Sequence, residues 1–243
     1  MSLNPLFPFM PTIMPNIVQA LVVTTAFALL CAKPLHKQPL PFYAAFIVAS
    51  ALTFVPAVKD ATVVRIMASA YTGVAFYLLV MFAGALPRKW EVTRRLLSIR
   101  SELSILAGFI ILAHSARVIF MVPVSFMPVW SNIWGDAAPY MLAATSFVGV
   151  PLLICFLVPW ITSFKHVRRR MKGKTWKKVQ RLAYPFMALL VAQGMLLAVA
   201  HALYVSPTSE DFATYVMTAC IYATLGIVYA ALKFYGVLQR KRR

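Results

Sequence analysis

An all-α, polytopic transmembrane bundle of about seven spans is the fold class that this sequence predicts, and three observations predict it. Hydrophobic residues make up 61% of the 243 residues and charged residues only 12%, against roughly 25% charged in soluble domains. The mean hydropathy is +0.78, and the apolar mass falls into blocks of roughly 18–25 residues, the length that carries a helix across about 30 Å of hydrocarbon. The basic residues are confined almost entirely to alternate connections between those blocks. The whole chain, 1–243, therefore reads as a single transmembrane domain in a lipid bilayer.

The predicted spans cover about 13–32, 41–57, 66–86, 102–122, 139–163, 182–205 and 213–235. Pro11 and Pro15 precede the first, which stops before Lys33 and Pro34. The second is short and ends near Pro56. The third runs from Ile66 to Pro87, and Pro123 closes the fourth. The fifth contains Pro151 and Pro159, which membrane helices tolerate when neighbours satisfy the freed carbonyls. The acidic turn Ser206-Pro-Thr-Ser-Glu-Asp211 joins the sixth to the seventh.

Seven spans place the 1–2, 3–4 and 5–6 connections and the C-terminus on one side. These carry two, five, nine and five Lys or Arg residues, 21 of the 24 in the chain. Cytoplasmic loops hold the excess of basic residues, so the N-terminus is expected outside and the C-terminus inside, in a multi-pass protein of the inner (plasma) membrane. The same placement explains the net charge of +18 without nucleic acid, which is not expected as a partner.

No basic region precedes the first apolar block, so no cleaved signal peptide is expected. Cys31, Cys155 and Cys220 are widely separated and read as small apolar side chains. Nine glycines form neither GxGxxG nor a P-loop, there is no internal repeat, and HExxH and GxSxG are absent. Electrons from a flavin or nicotinamide would have to come through a partner.

Span four carries two costly residues, His114 and Arg117. An ionisable side chain inside a membrane helix marks a functional-site hypothesis. From Glu102 to His114 is about 18 Å of helix rise, which places the imidazole near the midplane, with Arg117 one turn further out. In span six, Gln193 lies at about the same depth, and His201 about 12 Å closer to the outer surface. A histidine facing a ligand at equal depth on another helix suits b-type haem, with an arginine for its propionates. The alternative is that His114 hydrogen-bonds a neighbouring helix.

Two segments carry a resemblance. Arg94-Arg95-Leu96-Leu97 and Arg100-Ser-Glu-Leu-Ser-Ile-Leu, leading to His114, resemble the basic run and histidine-bearing helix of the ferric reductase-like transmembrane family. That family includes the haem b membrane subunit of the bacterial methionine sulfoxide reductase system. Residues Arg168 to Tyr184, with Trp176 and Gln180, resemble its second hallmark, W-x-x-x-H-x-x-x-Y after a basic loop. The likeness covers about residues 88–205.

It implies a six-helix core plus one further span, and a membrane electron-transfer subunit passing electrons from quinol or a reduced flavin partner, through haem b, to an acceptor. His114 stands at the family's first haem histidine, with Arg117 beside it. Gln180 and Gln193 replace two expected histidines. Three outcomes follow: a haem on His114 with a weak or absent sixth ligand, a haem re-sited onto His201, or a haem-free module of the same fold acting as transporter or assembly partner. His114 and His201 are thus the candidate metal ligands, and Arg117 and Gln193 complete the candidate cofactor site.

The 165–181 loop reads first as a topology determinant that contacts anionic lipid. Its sharper reading is a dock for a redox partner at the inner face, the outer face being the other place for such a partner. Trp90, Trp130, Trp134, Trp160 and Trp176 are read as interfacial anchors, and Glu102 as the anion complementing a helix N-terminus. The tyrosines of spans six and seven read as packing residues.

Overall fold

The computed structural model describes residues 6–11, 14–121 and 127–241; the expected stop at Pro123 and the terminal Arg242 and Arg243 lie outside them. Among the described residues there is no strand. The helices are α1 (Asn16–Leu30), α2 (Ala32–Lys37), α3 (Pro39–Leu52), α4 (Thr62–Ala68), α5 (Ala70–Ala83), α6 (Glu91–Ser98) and α7 (Arg100–Met121). After these come α8 (Met127–Trp134), α9 (Ala138–Ile161), α10 (Lys165–Arg170), α11 (Gly173–Gln180), α12 (Ala183–Ala202) and α13 (Glu210–Lys241).

Four stretches of the described residues are long and apolar enough to cross a membrane: Arg100–Phe120, Trp130–Ile161, Gly173–Ala202 and Glu210–Gln239. The pair α4–α5 makes a fifth when counted as one span, although it is bent by 62° at its break. The span expected over 66–86 falls on the end of α4 and on α5, with the break inside it. The apolar helices α1 and α3 have 15 and 14 residues, about 22 Å of rise each, less than the roughly 30 Å of a hydrocarbon core.

Helix α7 is the buried axis. Leu103, Leu106, Ala107 and Ile110 are wholly inaccessible, with α5 and α3 packed against the helix. Close approach depends on glycine. A Cβ on Gly73 of α5 would stand 2.6 Å from Ile111 of α7, and one on Gly194 of α12 would stand 2.6 Å from the Tyr222 ring of α13. Trp160 of α9 lies directly over Gly108 of α7 and donates its indole N–H to the Ile105 carbonyl at 3.4 Å. Small residues that let helices approach are the usual basis of packing in lipid, where apolar surface alone gives no preference for a helix neighbour. Phe147 and Tyr140 on α9 and Ile227 on α13 are instead more than 70% exposed, which suits hydrocarbon chains rather than water.

Three contacts bring the basic connections to one end of the bundle. His36 of α2 donates through Nδ1 to the Ser98 carbonyl of α6 at 3.0 Å. Lys165 of α10 lies 4.0 Å from Glu102 of α7. Lys233 of α13 donates to the Gly84 carbonyl at 2.9 Å. Glu102 sits in the first turn of α7, as its sequence position implied, and accepts from Ser101 at 2.7 Å.

Candidate functional site at a broken helix

The break between α4 and α5 occurs without proline or glycine. Ser69 is extended (φ −78°, ψ 129°), and its Oγ accepts from the Tyr71 N–H, so it caps α5 in mid-span. Ending α4 here leaves backbone carbonyls without helical partners, and in a membrane each must be satisfied from within the protein. Thr72 donates its hydroxyl to the Ile66 carbonyl at 3.1 Å. The Ala68 carbonyl accepts two bonds from α7: His114 Nδ1 and Arg117 Nη2, each at 3.0 Å. A carbonyl only accepts, so His114 carries its proton on Nδ1. Arg117 Nε is buried and has no partner.

A cavity of about 330 Å³ opens beside this centre. Its polar lining comes from Asn16, Thr53, Lys59, Arg65, Ser69 and Arg117, with Leu6 among its apolar walls. The segment that carries Leu6 is pinned by Gln19, a wholly buried residue of α1. Gln19 accepts from the Phe7 N–H at 3.1 Å and donates to the Met14 carbonyl at 2.7 Å.

The structure therefore brings His114 and Arg117 together, but on α4 rather than on α12. Gly108 marks the face of α7 that α9 covers. His114 is six residues on, about 120° around the helix from that face. Gln193 instead faces α9, its Nε2 being 3.8 Å from where a Cβ on Gly149 would stand; its buried Oε1 has no partner. His201 bonds its own helix, Nδ1 to the Leu197 carbonyl at 2.7 Å. The His201 ring stacks on Tyr215 at 4.9 Å and meets Trp134 edge-on at 5.0 Å. Gln180 donates to Thr162 at 3.2 Å, tying α11 to the end of α9.

These positions do not fit a haem ligated from both sides between α7 and α12. Among the described residues no group of three or more His, Cys, Asp or Glu is placed to hold a metal ion. Two of the tryptophans read as interfacial anchors belong to the packing instead. Trp134 is 2% exposed beneath His201, and Trp160 covers Gly108.

The break itself was not legible in the sequence. The only local signal is a pair of hydroxyls, Ser69 and Thr72, spaced for a cap and a back-bond within an apolar block. Lys59, Arg65 and Asn16 gain their meaning only from the cavity that gathers them.

Comparison with known proteins adds one relative. The chain is 29% identical over 234 residues to an uncharacterized protein of Treponema pallidum (strain Nichols), a match covering 90% of this chain and 61% of that protein. The chain thus spans about three fifths of that relative's length. No family model matches, and no solved structure does.

Proposed function

We propose that the chain is a haem-free membrane module of transporter type, with its ligand site at the α4–α5 break. The observation that carries this reading is the pairing of His114 and Arg117 on the Ala68 carbonyl beside a 330 Å³ cavity. Irregular backbone at membrane depth is tolerated where protein buries it or where it lines a cavity, and transporters place substrate sites at such discontinuous helices. In this reading α1 and α3 also cross, giving seven spans. The basic end then faces the cytoplasm of a plasma membrane, and the cavity opens towards the outside.

Accessibility tests the proposal. Ser69→Cys, in a chain whose Cys31, Cys155 and Cys220 are changed to Ser, should react with a membrane-impermeant thiol reagent. The modification should be slower when the solute carried by the module is present. A residue 69 that stays unreactive in the folded protein would mean that the break is a closed structural joint.

The second reading keeps the ferric reductase-like electron-transfer subunit, with quinol or a flavin partner as donor. One observation favours it. His114 donates through Nδ1 to a backbone carbonyl, which leaves Nε2 as the nitrogen with a free lone pair, as in metal-bound imidazoles. Absorbance in the haem bands separates the two readings.

A further inference from the structure

The groups that line the cavity at the break are overwhelmingly donors. The side chains of Arg65 and Lys59 make no hydrogen bond or ion pair to any described residue, and both line the same space as Arg117. Arg117 keeps an unpartnered, buried Nε although its Nη2 is engaged. Asn16 spends its amide oxygen on the Leu6 N–H at 3.1 Å, which leaves its NH₂ group to donate. Ser69 accepts from the Tyr71 N–H with one oxygen lone pair, and its hydroxyl proton remains to donate. Thr53, which also lines the cavity, is the exception, since it gives its hydroxyl proton to the Ser50 carbonyl at 2.6 Å.

The charges point the same way. Among the described residues, three cations line one cavity and no carboxylate does. Asp60 is the only acidic residue between 53 and 69; it is exposed and does not line the space. The N-terminus of α5 adds its unsatisfied N–H groups and positive dipole end beside Ser69. Arg65 and Arg117, both partly buried, with the exposed Lys59 at the rim, repel one another unless an anion is placed among them. Guanidinium groups match the geometry of oxyanions, presenting several donors in a fixed fork.

We infer that the cavity at the α4–α5 break is an oxyanion site, taking a carboxylate or phosphate group between Arg65, Arg117 and Lys59, with Asn16 and Ser69 as neutral donors. It rests on the reading of the break as a ligand site and supplies its ligand class. The oxyanion has two possible sources, a small solute or the phosphate of a lipid headgroup, and both present the same acceptor oxygens to the same donors.

The test uses the full chain in phosphatidylcholine nanodiscs, titrated with inorganic phosphate and, separately, with succinate, and followed by thermal unfolding and calorimetry. A third arm replaces part of the phosphatidylcholine with phosphatidylglycerol. Arg65→Gln is the principal variant, because Arg65 supports nothing else in the fold; Arg117→Gln is the second. Lys174→Gln, on the basic α11, controls for general charge. Saturable binding of phosphate or succinate, weakened at least tenfold by Arg65→Gln and unchanged by Lys174→Gln, assigns the site to a solute. Stabilisation by phosphatidylglycerol alone, abolished by Arg65→Gln, assigns it to a headgroup.

Absence of both effects, or effects equal in Arg65→Gln and the parent, overturns the inference. Failure of Ser69→Cys to label would instead remove the aqueous ligand site and leave the anion titration to be judged separately. The two results are therefore distinguishable.

Discussion

The Ala68 carbonyl takes two donors, so the loss of either still leaves it satisfied. His114→Ala and Arg117→Gln should therefore each destabilise the protein by only about 1 kcal/mol, the net worth of one hydrogen bond. The double variant orphans a carbonyl and should cost about 1 kcal/mol more than the sum of the two. Thermal unfolding of the four proteins in one detergent measures that coupling. Strict additivity would mean that the two residues do not share the carbonyl. The sequence singled out both residues because each is expensive in an apolar helix. Their partner was not legible, because a backbone carbonyl becomes available only through a distant break in the chain. Gln193 was legible as a polar residue at similar depth, but depth says nothing of azimuth, and its face of α12 turns to Gly149.

At the level of elements, glycine and the serine cap set the joints. Gly108→Leu drives a side chain into the Trp160 indole. It should lower stability by about 1–3 kcal/mol, the usual cost of overpacking, and should release the Trp160 N–H from Ile105. Tryptophan fluorescence together with thermal unfolding checks both effects. Ser69→Ala removes the cap of α5 and should cost about 1 kcal/mol, whereas the same change at Ser206, whose exposed hydroxyl meets only Thr208 in a turn, should cost less. Helices α7, α9 and α12 were legible to within a few residues because long apolar runs between charged connections admit one helix each, whereas α13 runs on to Lys241, past the expected end at 235. The α4–α5 joint was not: its residues are as apolar as a straight span, and only tertiary bonds from Thr72, His114 and Arg117 make the broken form acceptable.

Across the whole molecule, the pairing of His36 with Ser98, Lys165 with Glu102 and Lys233 with Gly84 gathers the basic connections at one end. Seven alternating spans would bring the same connections together, which is the arrangement the charge count expects. In the proposed topology, Lys174→Cys labels only from the cytoplasmic side and Lys59→Cys only from the outside, each in the cysteine-free chain. Labelling of both from one side would contradict seven crossings. The short α1 and α3 make this a demanding test, since each falls several ångströms short of a hydrocarbon core and needs local thinning of the bilayer or snorkelling at its ends.

The most direct test of the central claim, that the polar centre serves the broken helix and not an iron, is a dithionite-reduced minus oxidised visible spectrum of the purified chain expressed with a haem supply. The parent should show no Soret or α-band change, and His114→Ala the same flat spectrum. A reduced haem spectrum in the parent that disappears in His114→Ala would contradict it.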